Sequence, residues 1–581
     1  MSFLSLPTEI CINILVQLAY NDLLRLKTVS KAFLVLISSP AVQYRIQLGI
    51  AALEDDDPKG AIPISDKIRL LEQIETMFRL WEFPQITSIA MSTRSGVYGI
   101  QDGVFVPGRL ESIGGSFQTK GADVYRLRAP MNPGDMGASW RLPDFESPIM
   151  ALVSCPQENL LITMEEGEHS LRDDCFILRF LSLSDGRPHP NSHGPVTLPS
   201  SIPLESGEPQ YITMRSIGEI VGLRTIDSKV YLVNWVTGQS GCIVPNPSST
   251  GASPIVDDDI IDDVLFLDET HCFLIRGRRN PAELEVYEFD RSAKLTLKAV
   301  YQLPRRKGRI EFSSTNGFSR ARFRGANALD GCLVPPFAPV PEECIFLIKM
   351  MIMGPEGDAM YPLLFRGESL LRLPSGVTKR DDGISVVSGH LWMRETHIME
   401  GFSWDHPSYG TRVLLPNYIL RSNVDDIRWD DERLWNFTII DCNPAQIAQI
   451  RASASTPPLS LQSASFDRDH VNTNTNIKST EKVSCILEPM SIGPDTCLDE
   501  EWICGLPVAV ISFKTAPSPV LLDVEQPFTL NSSSGHILGA SVMHLSTFIH
   551  MHDHRDSGER DNVPLLGLSV QSMGWLDSYR E

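Results

Sequence analysis

The sequence is short of the features that mark a membrane protein, a secreted protein, a nucleic-acid binder or an enzyme. No apolar run reaches the roughly 20 residues a membrane-spanning helix needs; the stretch Ile345 to Met353 is brief and carries Lys349. No basic region precedes the N-terminal apolar residues, and Glu9 interrupts the one segment that could serve as a signal-peptide core. Positive charge is scarce: 51 Lys and Arg stand against 72 Asp and Glu, a net charge of −21, which is the wrong sign for a broad surface laid on a phosphate backbone. The 11 cysteines are odd in number, scattered from Cys11 to Cys504 and never spaced as a CxxC pair. That pattern fits reduced thiols better than a disulfide framework or a zinc site, and predicts a cytoplasmic or nuclear setting. There is no P-loop, no GxSxG elbow and no HExxH, and serine, histidine and aspartate never take a spacing that nominates a triad. The expectation is a non-catalytic protein with no catalytic residue, no metal and no cofactor, binding neither nucleic acid nor membrane.

What is present is a folded composition, 42% hydrophobic over 581 residues, too long for one ordinary core. A small domain plus a large one is expected. Residues 1–50 read as short helices with explicit stop signals. Pro7 suits a first helical position, Glu9 complements the positive helix start, and Ile10, Ile14 and Leu18 recur every fourth residue with Leu15 widening the stripe. Asn21-Asp22 and Ser39-Pro40 look like caps, and Gly49 stands where a helix end is wanted. A cluster this small cannot bury all its apolar side chains, so some should form an exposed patch awaiting a partner.

Residues 51–84 read as a linker: an acidic turn, Glu54-Asp55-Asp56-Asp57, then a helix capped by Ser65 that presents Ile68, Leu71, Phe78 and Trp81 to the next domain. The two halves are expected to be separable between about residues 55 and 65. From residue 85 to 581 the chain turns to short β-type runs broken by Gly, Pro, Asn and Asp. Three stretches share one plan: IMALVSCPQENLLITME with CFILRFLSLSDGR, YITMRSIGEIVGLRT with KVYLVNWVTG, and VLFLDETHCFLIRG with ELEVYEFD. Each holds a strand, a polar turn, a second strand and, after a gap, a third, recurring at the scale of a propeller blade. An irregular two-sheet sandwich built from similar hairpins is the alternative. The fold class expected is multidomain α+β: a small all-α cluster, then a large all-β domain resembling a degenerate β-propeller. The polar run 451–482 reads as a flexible insertion, and about 245–259 as a loose loop.

Taken together, Leu6-Pro7-x-Glu9-Ile10, Ile14-Leu15, Leu18, Asp22-Leu23-Leu24 and Val29-Ser30-Lys31-x-Phe33 resemble an F-box. Phe33 stands where that family often has tryptophan, and Ser30 where cysteine is common. The resemblance implies that Leu6, Pro7, Ile10, Ile14, Leu18, Leu23, Leu24, Val29 and Phe33 bind a Skp-family adaptor, and through it a cullin. The rest resembles fungal F-box proteins with long propeller-like C-terminal regions, through Arg69-Leu70-Leu71, the Pro-Gln-Glu-Asn-Leu-Leu turn, Trp235-x-Thr237-Gly238, Thr411-Arg412 and Asp441-Cys442-Asn443-Pro444. The implied role is the substrate receptor of a ubiquitin ligase, its β domain holding a target protein whose identity is open. A non-ubiquitinating assembly factor, or an enzyme with a site in the propeller channel, are the other readings.

Two further patterns stand apart. His550, His552 and His554 alternate, so on a strand they would share one face and could hold zinc, but the surrounding Asp553, Arg555, Asp556 and Ser557 read as a solvated turn. Arg276-Gly277-Arg278-Arg279 and Arg305-Arg306-Lys307-Gly308-Arg309 could capture a phosphorylated or acidic ligand, or be solvated loops.

Overall fold

The structure, a computed structural model, describes residues 3–80 apart from 58–59 and 61, and then the strands and turns of the β region. The stretches 81–84, 127–138, 168–174, 201–211, 245–260, 304–308, 317–336, 399–407, 417–435, 449–480, 493–501, 515–546, 555–564 and 573–581, with several shorter breaks, lie outside the described residues. The expected loop at 245–259 and nearly all of the expected insertion at 451–482 fall there, except that Glu481 and Lys482 open a strand.

The N-terminal segment is helical, as its stop signals dictate. Helix α1 runs Thr8–Leu15 with Pro7 at its N-cap and Glu9 in the first turn. Helix α2, Tyr20–Leu26, starts earlier than expected: Ala19 is its N-cap, so Asn21 and Asp22 lie in the first turn, where the Asp22 carboxylate still complements the positive helix end. Helix α3, Lys31–Ile37, is capped by Ser30, whose Oγ accepts from the Phe33 amide at 3.3 Å. Helix α4, Pro40–Ile50, has proline in its first turn, but the Ser39 hydroxyl makes no capping bond. Gly49 lies inside the last turn rather than beyond it; a Cβ there would stand 2.4 Å from the Tyr20 side chain, so glycine is what lets α2 and α4 close on each other. Leu15, Leu23, Ile37, Val42 and Ile46 form the core, edged by Phe3 stacked on Phe33 at 5.7 Å.

The acidic run, expected as a turn, opens as a strand instead. Leu53–Asp55 forms strand β1, which pairs antiparallel with Phe337–Pro339 of the β region. Asp55 and Asp57 bracket Lys67 Nζ at 3.0 and 3.3 Å, and Lys67 and Asp57 are both buried. Lys67 belongs to helix α5, Ile64–Leu80; Ser65 sits within that helix rather than capping it. Leu70 and Leu71 are buried, while the Phe78 side chain and Trp81 lie outside the described residues.

The β region is a succession of mainly antiparallel sheets, the first three of them meanders of consecutive strands. Sheet A comprises Tyr98–Gln101, Val104–Ile113, Ser116–Arg126 and Ser139–Arg141; sheet B, Ile149–Cys155, Leu160–Glu166, Cys175–Ser182 and Val196–Pro199. Sheet C comprises Thr213–Ile217, Ile220–Arg224, Val230–Asn234 and Ser240–Ile243; sheet D begins with Asp263–Phe266, His271–Arg276, Glu283–Phe289 and Leu295–Gln302. Sheet E holds Arg309–Asn316, Ile345–Gly354, Gly357–Arg366 and Thr396–Ile398, and sheet F holds Ser408–Tyr409, Arg412–Pro416, Asn436–Asp441, Val508–Lys514 and Glu481–Leu487. The three sequence units are the first three strands of sheets B, C and D, and in each case the structure adds a fourth.

Inner strands of this series, among them Leu160–Glu166, Ile220–Arg224, Val230–Asn234, Asp263–Phe266 and His271–Arg276, are buried on both faces. Leu265 packs between sheets D and E while its neighbour Phe266 packs between C and D; Leu161 packs toward A while Leu160 and Ile162 pack toward C. A two-sheet sandwich would give each sheet one buried face and one wet face, with alternating polar residues. Here sheets B, C and D are each flanked by the one before and the one after, which is why their inner strands read as unbroken apolar runs. The first strands of sheets A to E also touch in sequence, A to B, B to C, C to D and D to E, as inner strands around an axis do. Gln85–Ala90 pairs with Leu565–Ser572, which pairs with Thr547–His554, so one sheet joins the two ends of the β region. This is a propeller-like arrangement with irregular blades.

The third-to-fourth strand turns repeat one device. Gly186, Gly238 and Ala293 all have left-handed φ, at 72°, 72° and 60°. Gly186 and Gly238 donate their amides to the carbonyls of Ser182 and Asn234, four residues back, and Ala293 to that of Asp290, three back. Among the described residues, no helix is long and apolar enough to cross a membrane.

Candidate functional site

In α1 the helical period divides the apolar residues between two faces. Cys11 and Leu15 point into the core, whereas Ile10 and Ile14 are left 45% and 42% exposed. The same surplus appears on the next two helices and the turn between them: Leu24 is 37% exposed, Val29 65%, Leu34 44% and Val35 71%. Exposed apolar residues of this size are infrequent elsewhere among the described residues, where the comparable cases are the isolated Ile64, Val244 and Leu373. Charged residues stand beside these positions in the sequence: Glu9 precedes Ile10, Lys31 follows Val29 across Ser30, and Arg25 pairs with Asp22 at 3.3 Å on the surface. An exposed apolar group is what a protein-binding surface needs, because covering apolar area is the favourable term in association.

The structure sorts the nine residues that the sequence nominates. Ile10, Ile14, Leu24 and Val29 are exposed, as is Pro7, while Leu6 is half-buried at the foot of α1. Leu18 and Phe33 are half-buried and pack on the helical core. Leu23 is fully buried and offers no surface. Leu34 and Val35 join the exposed set without having been nominated. Their signal lay in the run Ala32-Phe33-Leu34-Val35-Leu36-Ile37, which is apolar all round a helix of under two turns and cannot face inward everywhere.

The other patterns resolve differently. The three alternating histidines lie on a strand, Thr547–His554, and not on a turn; His550, His552 and His554 are paired with Ser569, Gly567 and Leu565. Arg276 is buried and its Nε lies 2.7 Å from Glu285 Oε2, a cross-strand ion pair within sheet D and not a solvated loop; Arg278 and Arg279, and residues 305–308, lie outside the described residues. An open cleft of about 540 Å³ borders Arg109, Arg141, Leu142, Pro143, Asp144 and Asp185. Arg109 is already engaged there, donating to the carbonyls of Ala122 and Leu142 and pairing with Asp123 and Asp144.

Residues 3–48 match the F-box-like family. The N-terminal helical segment is an F-box-like domain, and a large β region follows it. No curated protein is detectably similar to the chain. Among solved structures, it is similar to BamB from Moraxella catarrhalis at 10% identity, covering 55% of this chain and 80% of that one with a TM-score of 0.27. It is similar to the WD40 domain of Toxoplasma gondii coronin at 9% identity, covering 76% and 89% with a TM-score of 0.30, and to the N-terminal domain of Nup159 at 9%, covering 62% and 77% with a TM-score of 0.28. Superpositions this loose carry no argument; the propeller-like reading rests on the sheet order and the two-sided burial described above.

Proposed function

We propose that this chain is the substrate-receptor subunit of a Skp–cullin–F-box ubiquitin ligase. Its N-terminal helices dock on a Skp-type adaptor, the adaptor joins it to a cullin, and the propeller-like domain holds a target protein in the cytoplasm or nucleus. The observation that carries this reading is the exposed apolar group Ile10, Ile14, Leu24, Val29, Leu34 and Val35 within a match to the F-box-like family. A non-catalytic role fits: proximity alone raises the effective concentration of a target lysine near a conjugating enzyme. No residue of the chain then needs to break a bond.

The test is direct binding of the purified full-length chain to a Skp-family adaptor. Ile14→Asp with Val35→Asp places two charges in the interface while touching no core residue, and should weaken binding by at least a hundredfold with the thermal midpoint unchanged. Unchanged affinity would refute the docking surface. Recovery of the adaptor without a cullin would instead indicate an assembly factor.

A further inference from the structure

Helix α4 ends at Ile50, and the last carbonyls of any α-helix lack partners within it. One of them finds its partner across the chain: the Asn443 side-chain amide donates to the Ile50 carbonyl at 2.6 Å. Ala52 then turns with a left-handed φ of 55°, its carbonyl accepts from the Val340 amide at 3.0 Å, and β1 begins its pairing with Phe337–Pro339. Helix α5 is held at the same place. Its Glu75 Oε2 lies 2.6 Å from Arg412 Nη2, and the Arg412 Nε donates to Asp441 Oδ2 at 2.9 Å.

The β side of this junction is organised around Asp441, the last residue of its strand in sheet F. Asp441 Oδ1 accepts from the Thr411 hydroxyl at 3.0 Å and from the Asn443 amide at 2.9 Å. Asn443 Oδ1 in turn accepts from the Ala445 amide, which fixes the side chain with its N–H groups aimed at α4. Arg366 of sheet E donates to the Cys442 carbonyl at 2.6 Å. Thr411, Arg412, Asp441 and Asn443 are all buried. A buried guanidinium between two carboxylates, and a buried amide with one end in each domain, are costly to leave unpaired. Neither domain can therefore withdraw alone without stranding charge or amide.

We infer that the β domain completes the F-box-like domain: Asn443 caps α4, Arg412 holds α5, and the docking helices and sheet F open and close as one cooperative unit. The halves are then not separable between residues 55 and 65, since a cut there removes β1, the Ile50 carbonyl and the capped end of α4 from their partners. A chain whose sheet F has not formed would present a docking surface on an unfinished helical domain. This inference is independent of the adaptor reading, because it concerns how the chain holds itself.

Amide hydrogen exchange on the full-length protein tests it with two reciprocal variants. Asn443→Ser, on the β side, keeps an oxygen for the Ala445 amide but is too short to reach Ile50. It should speed exchange at Gln47–Ala52, the end of α4 and the turn after it, at least tenfold. Glu75→Gln, on the helical side, preserves shape and removes the charge. It should speed exchange in the Arg412–Pro416 strand by a similar factor, because coupling is reciprocal. Effects confined to the domain that carries each substitution, or transmitted in one direction only, would overturn the inference. If a variant unfolds outright, the unsubstituted protein decides: α4 and sheet F should exchange at matching rates, and α4 opening well ahead of sheet F would show two independent units.

Discussion

The two regions of this molecule treat their apolar residues in opposite ways. In the propeller-like sheets the strand residues from Leu160 to Ile162 and from Val264 to Phe266 are fully buried, because sheets B and D each have a neighbour on both faces. In the F-box-like domain a helix of eight residues, α1, leaves two of its four isoleucine and leucine side chains exposed. The first region satisfies itself. The second is finished only by other surfaces, by the β domain at the end of α4 and, on our proposal, by an adaptor over α1 to α3. The difference follows from size: a segment of some 45 residues has too little interior for its apolar content, whereas repeated sheets supply a new interior with each addition.

Substitutions of apolar residues test that contrast most strongly. Phe273 lies between sheets D and E, fully buried, with its ring 5.6 Å from Phe346 and 5.8 Å from Phe365. Phe273→Ala opens a cavity the surrounding strands cannot collapse into, and should cost about 3 to 5 kcal/mol in urea denaturation. Val35→Ser, at the most exposed position of the docking surface, should change stability by less than about 0.5 kcal/mol. Comparable costs for the two would mean that the patch is folded against something within the chain.

The sequence revealed this architecture unevenly, for physical reasons. Strands buried on both faces announce themselves as apolar runs, so the first three strands of sheets B, C and D were legible. Fourth strands were not: Ser240–Ile243 is an edge with alternating exposure and carries a serine and a glycine among four residues. On the helices, fourfold spacing found Ile10 and Ile14 but could not tell outward from inward residues, which is why Leu23 looked equivalent to Leu24. The junction was invisible in another way. Asn443 meets Ile50 across 393 residues and Arg412 meets Glu75 across 337, separations at which no local pattern survives. Thr411-Arg412 and Asp441-Cys442-Asn443-Pro444 stood out only by resemblance, and the structure supplies their reason.

Within the β region, the repeated turn sharpens the contrast between a blade that tolerates strain and one that avoids it. Gly238 has a φ of 72°, and a Cβ there would stand 2.6 Å from the His193 ring. Gly238→Ala should therefore cost about 1 to 2 kcal/mol in thermal unfolding, from the left-handed backbone alone before any contact is counted. Ala293 already occupies the corresponding place in sheet D at 60°. Ala293→Gly releases that strain but adds freedom to the unfolded chain, two terms of similar size, so it should shift stability by less than about 0.5 kcal/mol. Equal responses at the two turns would contradict the shared geometry.

The smallest expected effect is a pH dependence with two limbs, one from each of two histidines in the sheets. His271 Nδ1 lies 3.0 Å from Asp268 Oδ2. The bond to Asp268 holds the imidazolium, with further help from the Asp268 and Glu288 charges, and outweighs burial and Lys298, so its pKa is raised. His189 is the reverse: burial pushes its pKa down, only partly offset by its bond to the Glu158 carbonyl. Its ring packs edge-on to Trp235 at 5.2 Å, and its Nδ1 accepts from the Asn191 amide, an arrangement for a neutral imidazole with the proton on Nε2. A raised pKa contributes stability that is complete below the ordinary histidine value of about 6.5 and is lost as pH rises through the folded-state value. A lowered pKa contributes stability that is present above about 6.5 and is lost as pH falls through the folded-state value. The two contributions therefore coexist near pH 6.5 and decline on opposite sides of it. His271→Asn should flatten the decline of the urea midpoint above about pH 6.5, and His189→Gln the part of the decline just below it. If either substitution flattened the other's limb, the signs assigned to these two rings would be wrong.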